Sequence, residues 1–166
     1  IYFVDRYDEF SIYDVDFRAI PTVDPNPPAV AGMHFFGIVQ YVGPDRTADW
    51  TEFYSQLMGF TPLPRQVRFG IMPSGLLLES PCRKFFLQLI EPDESARFAA
   101  MDEHLQRVGL GTPDVTAAVA SLEKRGVEFL ATDRVHSSER GALTKPLLGG
   151  MMFELVKSTP PGGGER

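Results

Sequence analysis

The sequence predicts an α+β fold: two βαβββ modules whose strands join in one open, curved sheet, a cup with its helices outside. Three observations lead there. The order strand, helix, three strands occurs twice, with the two first strands about seventy residues apart. Two segments carry apolar residues at the 3.6-residue period and stop at a glycine. The chain has 166 residues, 43% hydrophobic and 23% charged, enough for one core shared by two small modules. Sheets paired in this way leave a concave face, which is where a cavity forms.

Residues 1–32 read as a linker segment from an upstream domain. Two aromatic and β-branched runs, 1–4 and 10–17, look strand-like, with Asp8-Glu9 as a turn between them. Two strands do not stand alone, so the segment should lean on the body or on the upstream domain. Four prolines in 21–28 make an extended link. The body occupies 33–158, with modules at about 33–91 and 105–157. His34 opens the first strand, 34–42, and Gly43-Pro44-Asp45 turns the chain. Asp45 or Thr47 caps a helix over 47–58, with Trp50, Phe53, Tyr54, Leu57 and Met58 on its buried face and Gly59 at its end. Strands are expected over 61–69, 75–79 and 85–90, the last two joined by a hairpin loop at 80–84. A polar helix connects over 92–103.

The pattern then restarts. Residues 105–111 form a strand. Thr112-Pro113 starts a helix over 113–125, with proline at the first helical position and Val115, Ala118, Val119 and Leu122 inside. Strands follow over 127–131, 141–144 and 151–156. Residues 159–166, rich in proline and glycine, read as a disordered tail.

Composition excludes several function classes. The net charge is −6 without a basic cluster, which argues against a nucleic-acid partner. No apolar run is long enough to span a bilayer and no secretory signal is present, so no membrane partner and a cytoplasmic location are expected. The single cysteine, Cys82, excludes an internal disulfide framework and a cysteine-rich zinc site. It lies beside Arg83 and Lys84 without a histidine near in sequence, and reads as an inert exposed thiol. The first residue is Ile1, so the sequence is expected to begin inside a longer polypeptide.

One acid, Glu154, interrupts the apolar run that ends the second module. A carboxylate among buried apolar residues is costly unless paired, hydrogen-bonded or bound to metal. By strand parity Met152, Glu154 and Val156 share a face of their strand, as Leu105, Arg107 and Gly109 do of theirs. If the cup forms as the repeat suggests, Arg107 and Glu154 point into one cavity; the alternative is that Arg107 snorkels to the rim and pairs with nothing. His34 is expected at a strand start, His104 at the end of the polar helix and His136 in a solvated loop.

The layout resembles the vicinal-oxygen-chelate superfamily of glyoxalases and extradiol dioxygenases. Local words are similar to the C-terminal half of the 4-hydroxyphenylpyruvate dioxygenases: Tyr2-Phe3-Val4-Asp5-Arg6-Tyr7, Trp50-Thr51-Glu52-Phe53-Tyr54, Leu105-Gln106-Arg107-Val108, Leu143-Thr144-Lys145-Pro146 and Phe153-Glu154-Leu155-Val156. A similar domain is fused behind a sugar-isomerase-like barrel in bacterial dehydroshikimate dehydratases. The resemblance covers the chain except its tail. It implies a ferrous ion held by two histidines and one glutamate. On this sequence the glutamate falls on Glu154, the first histidine on Gly37 and the second on Arg107. Glycine has no donor atom, and arginine is a fixed cation. A serine, an asparagine and a glutamine of the family pocket fall on Gly75, Ile90 and Gly141, and the closing C-terminal helix has no counterpart.

The resemblance thus implies the fold and speaks against the activity. The leading expectation is a domain with a degraded metal site and no cofactor. It would be a non-catalytic structural, dimerising or small-molecule-binding part of a larger protein, its partners an upstream domain, a second copy or a small carboxylate ligand. In the cavity Arg107 would pair with Glu154, and Gly37 would leave room for the arginine. The alternative is a metal-dependent dioxygenase or lyase for a carboxylate-bearing aromatic or 2-oxo acid. It would hold Fe2+ or another divalent ion on His34, His104 and Glu154. Each histidine lies three residues before the ligand position, so a bulge in each strand would be needed to turn it inward.

Overall fold

The computed structural model describes residues 10–24, 27–71, 75–91, 102–132 and 135–159. In chain order its elements are α1 (Ile12–Asp16), a 3-10 turn (Val30–Gly32), β1 (His34–Tyr41), α2 (Thr47–Met58), β2 (Thr61–Pro62), β3 (Leu76–Glu79), β4 (Phe86–Ile90), β5 (His104–Thr112), α3 (Val115–Glu123), β6 (Gly141–Leu143) and β7 (Met152–Lys157). The strands form one sheet in the order β2-β3-β4-β1-β5-β7-β6. β1 and β5 pair antiparallel at its centre, and each has a parallel partner from its own module, β4 and β7. The two halves therefore repeat one wiring about the β1–β5 seam.

Alternation along the strands separates two faces. Ile38, Leu78, Leu87 and Leu89 pack under α2 with Tyr54 and Phe60. Leu110, Ala142 and Leu155 pack under α3 with Val115 and Ala118. The intervening residues Val39, Gln88, Gly109, Glu154 and Val156 line the opposite, concave face. Both helices thus cover the outside, because each presents an apolar stripe that only the outer sheet face matches.

The details depart from the sequence expectation where local chemistry overrides pattern. Residues 12–16 are helical, not a strand. Ser11 Oγ accepts the Tyr13 N–H at 3.2 Å and Asp14 accepts the Ser11 N–H at 2.8 Å, a capping box that outweighs the aromatic residues. The strand expected over 61–69 stops after Pro62, since Pro62 and Pro64 lack ladder donors. Leu63 still donates to Leu77 O at 2.8 Å, and the chain then leaves the sheet. α2 has the expected bounds and ends at Gly59 with φ +70°, but Leu57 is exposed. Neither Asp45 nor Thr47 caps it with a side chain. The N-cap is Arg46, and Glu91 from the end of β4 accepts the Thr47 N–H at 2.9 Å and hydroxyl at 2.6 Å.

α3 starts after Asp114, whose carboxylate accepts the Ala117 N–H at 2.9 Å. Pro113 precedes the cap, so it is not the first helical residue. The strand expected over 127–131 is reduced to a bridge between Phe129 and Thr144. The run 1–4, most of the helix expected over 92–103 and most of the tail at 159–166 lie outside the described residues. Among the described residues no helix is long and apolar enough to cross a membrane.

Both central strands carry a bulge. Phe35 pairs with Leu110 and Gly37 with Gly109, leaving Phe36 extra on β1. Val39 pairs with Arg107 and Gln40 with Leu105, leaving Gln106 extra on β5. These bulges set which side chains enter the cup.

Candidate functional site

Arg107 and Glu154 project from adjacent strands, β5 and β7, onto the concave face. Arg107 Nε lies 3.0 Å from Glu154 Oε2, and both side chains are buried, 0% and 6% exposed. The contact is close but misaligned for a hydrogen bond, and Nη1 and Nη2 of the guanidinium meet no acceptor among the described residues. The link is thus chiefly electrostatic. Glu154 also reaches the other module: its Oε1 accepts the Ile71 N–H at 3.3 Å. Gly70, at φ +63°, makes that approach feasible, since a Cβ there would collide with Glu154 Oε1. One carboxylate therefore joins β5, β7 and the loop that follows β2.

That loop closes the cup. Phe69 meets Phe36 edge-on and Phe86 at a tilt, with ring centroids 5.0 and 4.8 Å apart, and Phe36 meets Phe86 at 5.1 Å. The bulge at Phe36 turns its ring inward, where it is 9% exposed. A cavity of about 30 Å³ remains between these rings, Gln88 and Glu154. It is water-sized, far below the few hundred Å³ of a small-molecule pocket. Sequence reading missed Phe69 and Gly70 as site residues. The signal was present in the two prolines that break the expected strand and in Gly70 itself.

Gly37 does not make room for Arg107. A Cβ at Gly37 would collide with the backbone carbonyl of Phe86, its partner on β4. Gly75 and Gly141 behave alike: a Cβ at Gly75 would run into Leu89 O, and one at Gly141 would come 2.8 Å from Leu155 O. At three positions where the resemblance expects a side chain, the neighbouring backbone occupies the space.

The histidines do not converge on Glu154. The two bulges lie where an inward turn requires them, but His34 pairs with Gly111 and His104 with Tyr41, at opposite ends of the β1–β5 ladder. Seven residues of strand separate those ends, roughly 20 Å. His34 lies over Gly111 with Nε2 3.4 Å from Ser158 Oγ. His104 is on a strand, not a helix, with Nδ1 2.7 Å from Asp102 O and its ring against Tyr41. His136 is exposed. Cys82 is exposed, and its hydrogen bond with the Ser80 hydroxyl, followed by Lys84, holds its thiol below the usual range. Among the described residues no three His, Cys, Asp or Glu side chains gather as a metal would need. The donor set around Glu154, a fixed cation and a glycine, does not fit a ferrous ion.

No family model matches the chain. It is 28% identical over 144 residues to 4-hydroxyphenylpyruvate dioxygenase of Pseudomonas aeruginosa, covering 80% of this chain and 39% of that protein. It is 28% identical over 160 residues to hemolysin VllY of Vibrio vulnificus, covering 85% and 44% respectively. The chain thus spans about two fifths of the length of these relatives. Among solved structures, methylmalonyl-CoA epimerase of Mycobacterium tuberculosis matches with TM-score 0.58 at 20% identity, over 81% of this chain and 94% of that one. A xylose isomerase-like TIM barrel/4-hydroxyphenylpyruvate dioxygenase fusion protein matches with TM-score 0.59 at 18% identity, over 94% of this chain and 30% of that one.

Proposed function

We propose that this chain, of the vicinal-oxygen-chelate superfamily and dioxygenase-like in sequence, is a non-catalytic domain of a larger protein. In this reading its metal site has been replaced by an internal ion pair. The observation that carries the proposal is the Arg107–Glu154 contact at 3.0 Å, with both side chains buried. A buried carboxylate needs a positive partner, and the guanidinium supplies the charge that iron supplies in the resembled dioxygenases. The closed cup supports the same reading. Three aromatic rings fill the concave face and leave about 30 Å³, so an aromatic 2-oxo acid has no place beside Glu154 without displacing Phe69. The role is then structural, holding two modules and a neighbouring domain or second copy in fixed relation.

The test is metal content and oxygen uptake of the purified chain. After incubation with ferrous, manganous and zinc ions and gel filtration, no stoichiometric metal is expected. With 4-hydroxyphenylpyruvate and ferrous ion, no oxygen consumption is expected. Stoichiometric metal abolished by His34→Ala or His104→Ala, or turnover that depends on Glu154, overturns the proposal.

A further inference from the structure

We propose a second site, beside the cup: a receptor for a small anion, a carboxylate or phosphoryl group, where the loop after β2 meets the segment before β6. A depression of about 450 Å³ lies there. Residues 68–71, including Phe69 of the cup, form one wall, from the loop after β2, and His136, Ser138 and Arg140 form the other, from the segment before β6. Its volume falls in the range of small-molecule pockets.

Charge decides what it fits. The chain carries a net charge of −6, yet Arg68, Arg140 and His136 line this depression, and among the described residues no carboxylate does. The acids that pair with arginine or lysine among the described residues do so elsewhere, at Arg46, Arg83, Arg107 and Lys145. Glu139 is adjacent to Arg140 in sequence but lines a different depression, beside Lys157. Two arginines that line one space, with no acid among its described lining, attract an anion, and their planar forks match the oxygens of a carboxylate or phosphate.

The walls are also anchored. Arg68 Nη1 donates to the Arg65 and Val67 carbonyls of its own loop, the latter at 3.1 Å. This fixes one edge of the guanidinium before any ligand arrives. The Arg140 backbone is held on both sides, its N–H donating to Ser138 Oγ at 3.3 Å and its carbonyl accepting the Lys157 N–H at 3.1 Å. A ligand between them bridges the modules on the same loop that Glu154 holds through Ile71. The inference does not depend on whether the cup is catalytic.

The experiment uses the whole chain at constant ionic strength set with chloride. Thermal unfolding and isothermal titration are recorded with inorganic phosphate and, separately, with succinate. Wild type should show saturable stabilisation by at least one. A response to phosphate alone identifies a phosphoryl ligand, to succinate alone a carboxylate, and to both an oxyanion site that accepts either. Arg68→Gln and Arg140→Gln should each weaken binding about tenfold or more, and the double variant should abolish it. Arg65→Gln, on the same loop but not among the residues that line this depression, should bind as wild type. Amide shifts of wild type on titration, which need no variant to fold, should centre on Gly70, Ile71 and Ser138. No saturable response to either anion, a double variant that responds like wild type, equal loss in Arg65→Gln, or shifts centred elsewhere overturns the proposal.

Discussion

Arg107 is a cation held at 0% exposure beside the Glu154 carboxylate, with two guanidinium nitrogens that meet no acceptor among the described residues. A pair of this kind need not stabilise the fold more than apolar residues of the same volume, because both charges have left water. Removing one partner alone strands the other. Arg107→Met is therefore expected to cost about 3–5 kcal/mol, and Arg107→Met with Glu154→Leu to recover much of that loss. Urea denaturation of the two single variants and the double variant measures this. A double variant no more stable than the singles would show that the pair is not the dominant interaction. Gly37 belongs to the same scale. It looked like a lost ligand that left space, but the space holds the Phe86 carbonyl. A histidine restored at 37 would have to push β4 away.

At the scale of elements, α2 shows how a helix end is completed from outside its own sequence. Its first turn has no side-chain cap from Arg46, and Glu91, on the far side of the module, accepts both donors of Thr47. The Thr47 hydroxyl, then its backbone N–H, hold the Glu91 carboxyl below its ordinary value. A depressed folded-state pKa contributes stability that is present above the unfolded pKa of about 4.3 and is lost as pH falls through the lower folded value. Glu91→Gln should therefore flatten the acid limb of the stability–pH profile while leaving the neutral-to-alkaline limb parallel to wild type. Chemical denaturation at a series of pH values checks it, and an unchanged acid limb would show that the cap carries no linked proton. The same scale explains α1. Ser11 and Asp14 were a legible capping box, but Phe10, Ile12, Tyr13, Val15 and Phe17 suggested a strand. All five side chains are exposed, so among the described residues no sheet was there to reward strand geometry.

At the scale of the molecule, the two modules meet along the β1–β5 ladder and through the loop at 63–71, which Phe69 and the Glu154–Ile71 hydrogen bond fasten over the cup. Gly70→Ala tests that closure. The left-handed backbone alone costs a residue with a Cβ about 1–2 kcal/mol, and the added carbon collides with the Glu154 carboxylate. Loss of at least that much stability is expected, with faster amide exchange at 69–71. A variant as stable as wild type, with unchanged exchange, would mean that the loop does not depend on Glu154.

Periodicity and punctuation were local, and so they were readable. The two helices, the glycine stop at Gly59, the repeated strand order and the isolation of one acid in an apolar strand all follow from spacing along the chain. Arg107 and Glu154 were readable as cavity residues because strand parity needs only a sheet and a register. What the sequence could not settle was set by partners distant in the chain. The bulges at Phe36 and Gln106 depend on how β1 and β5 align, and that alignment leaves His34 and His104 at opposite ends of the ladder. The backbone of β4 decides that Gly37 is a close approach and not a vacancy. The loop at 63–71 fills the cup because proline frees it from the ladder and three aromatic rings from separate elements then meet. Side-chain pattern is written locally, but the space around a side chain exists only once the strands have been laid together.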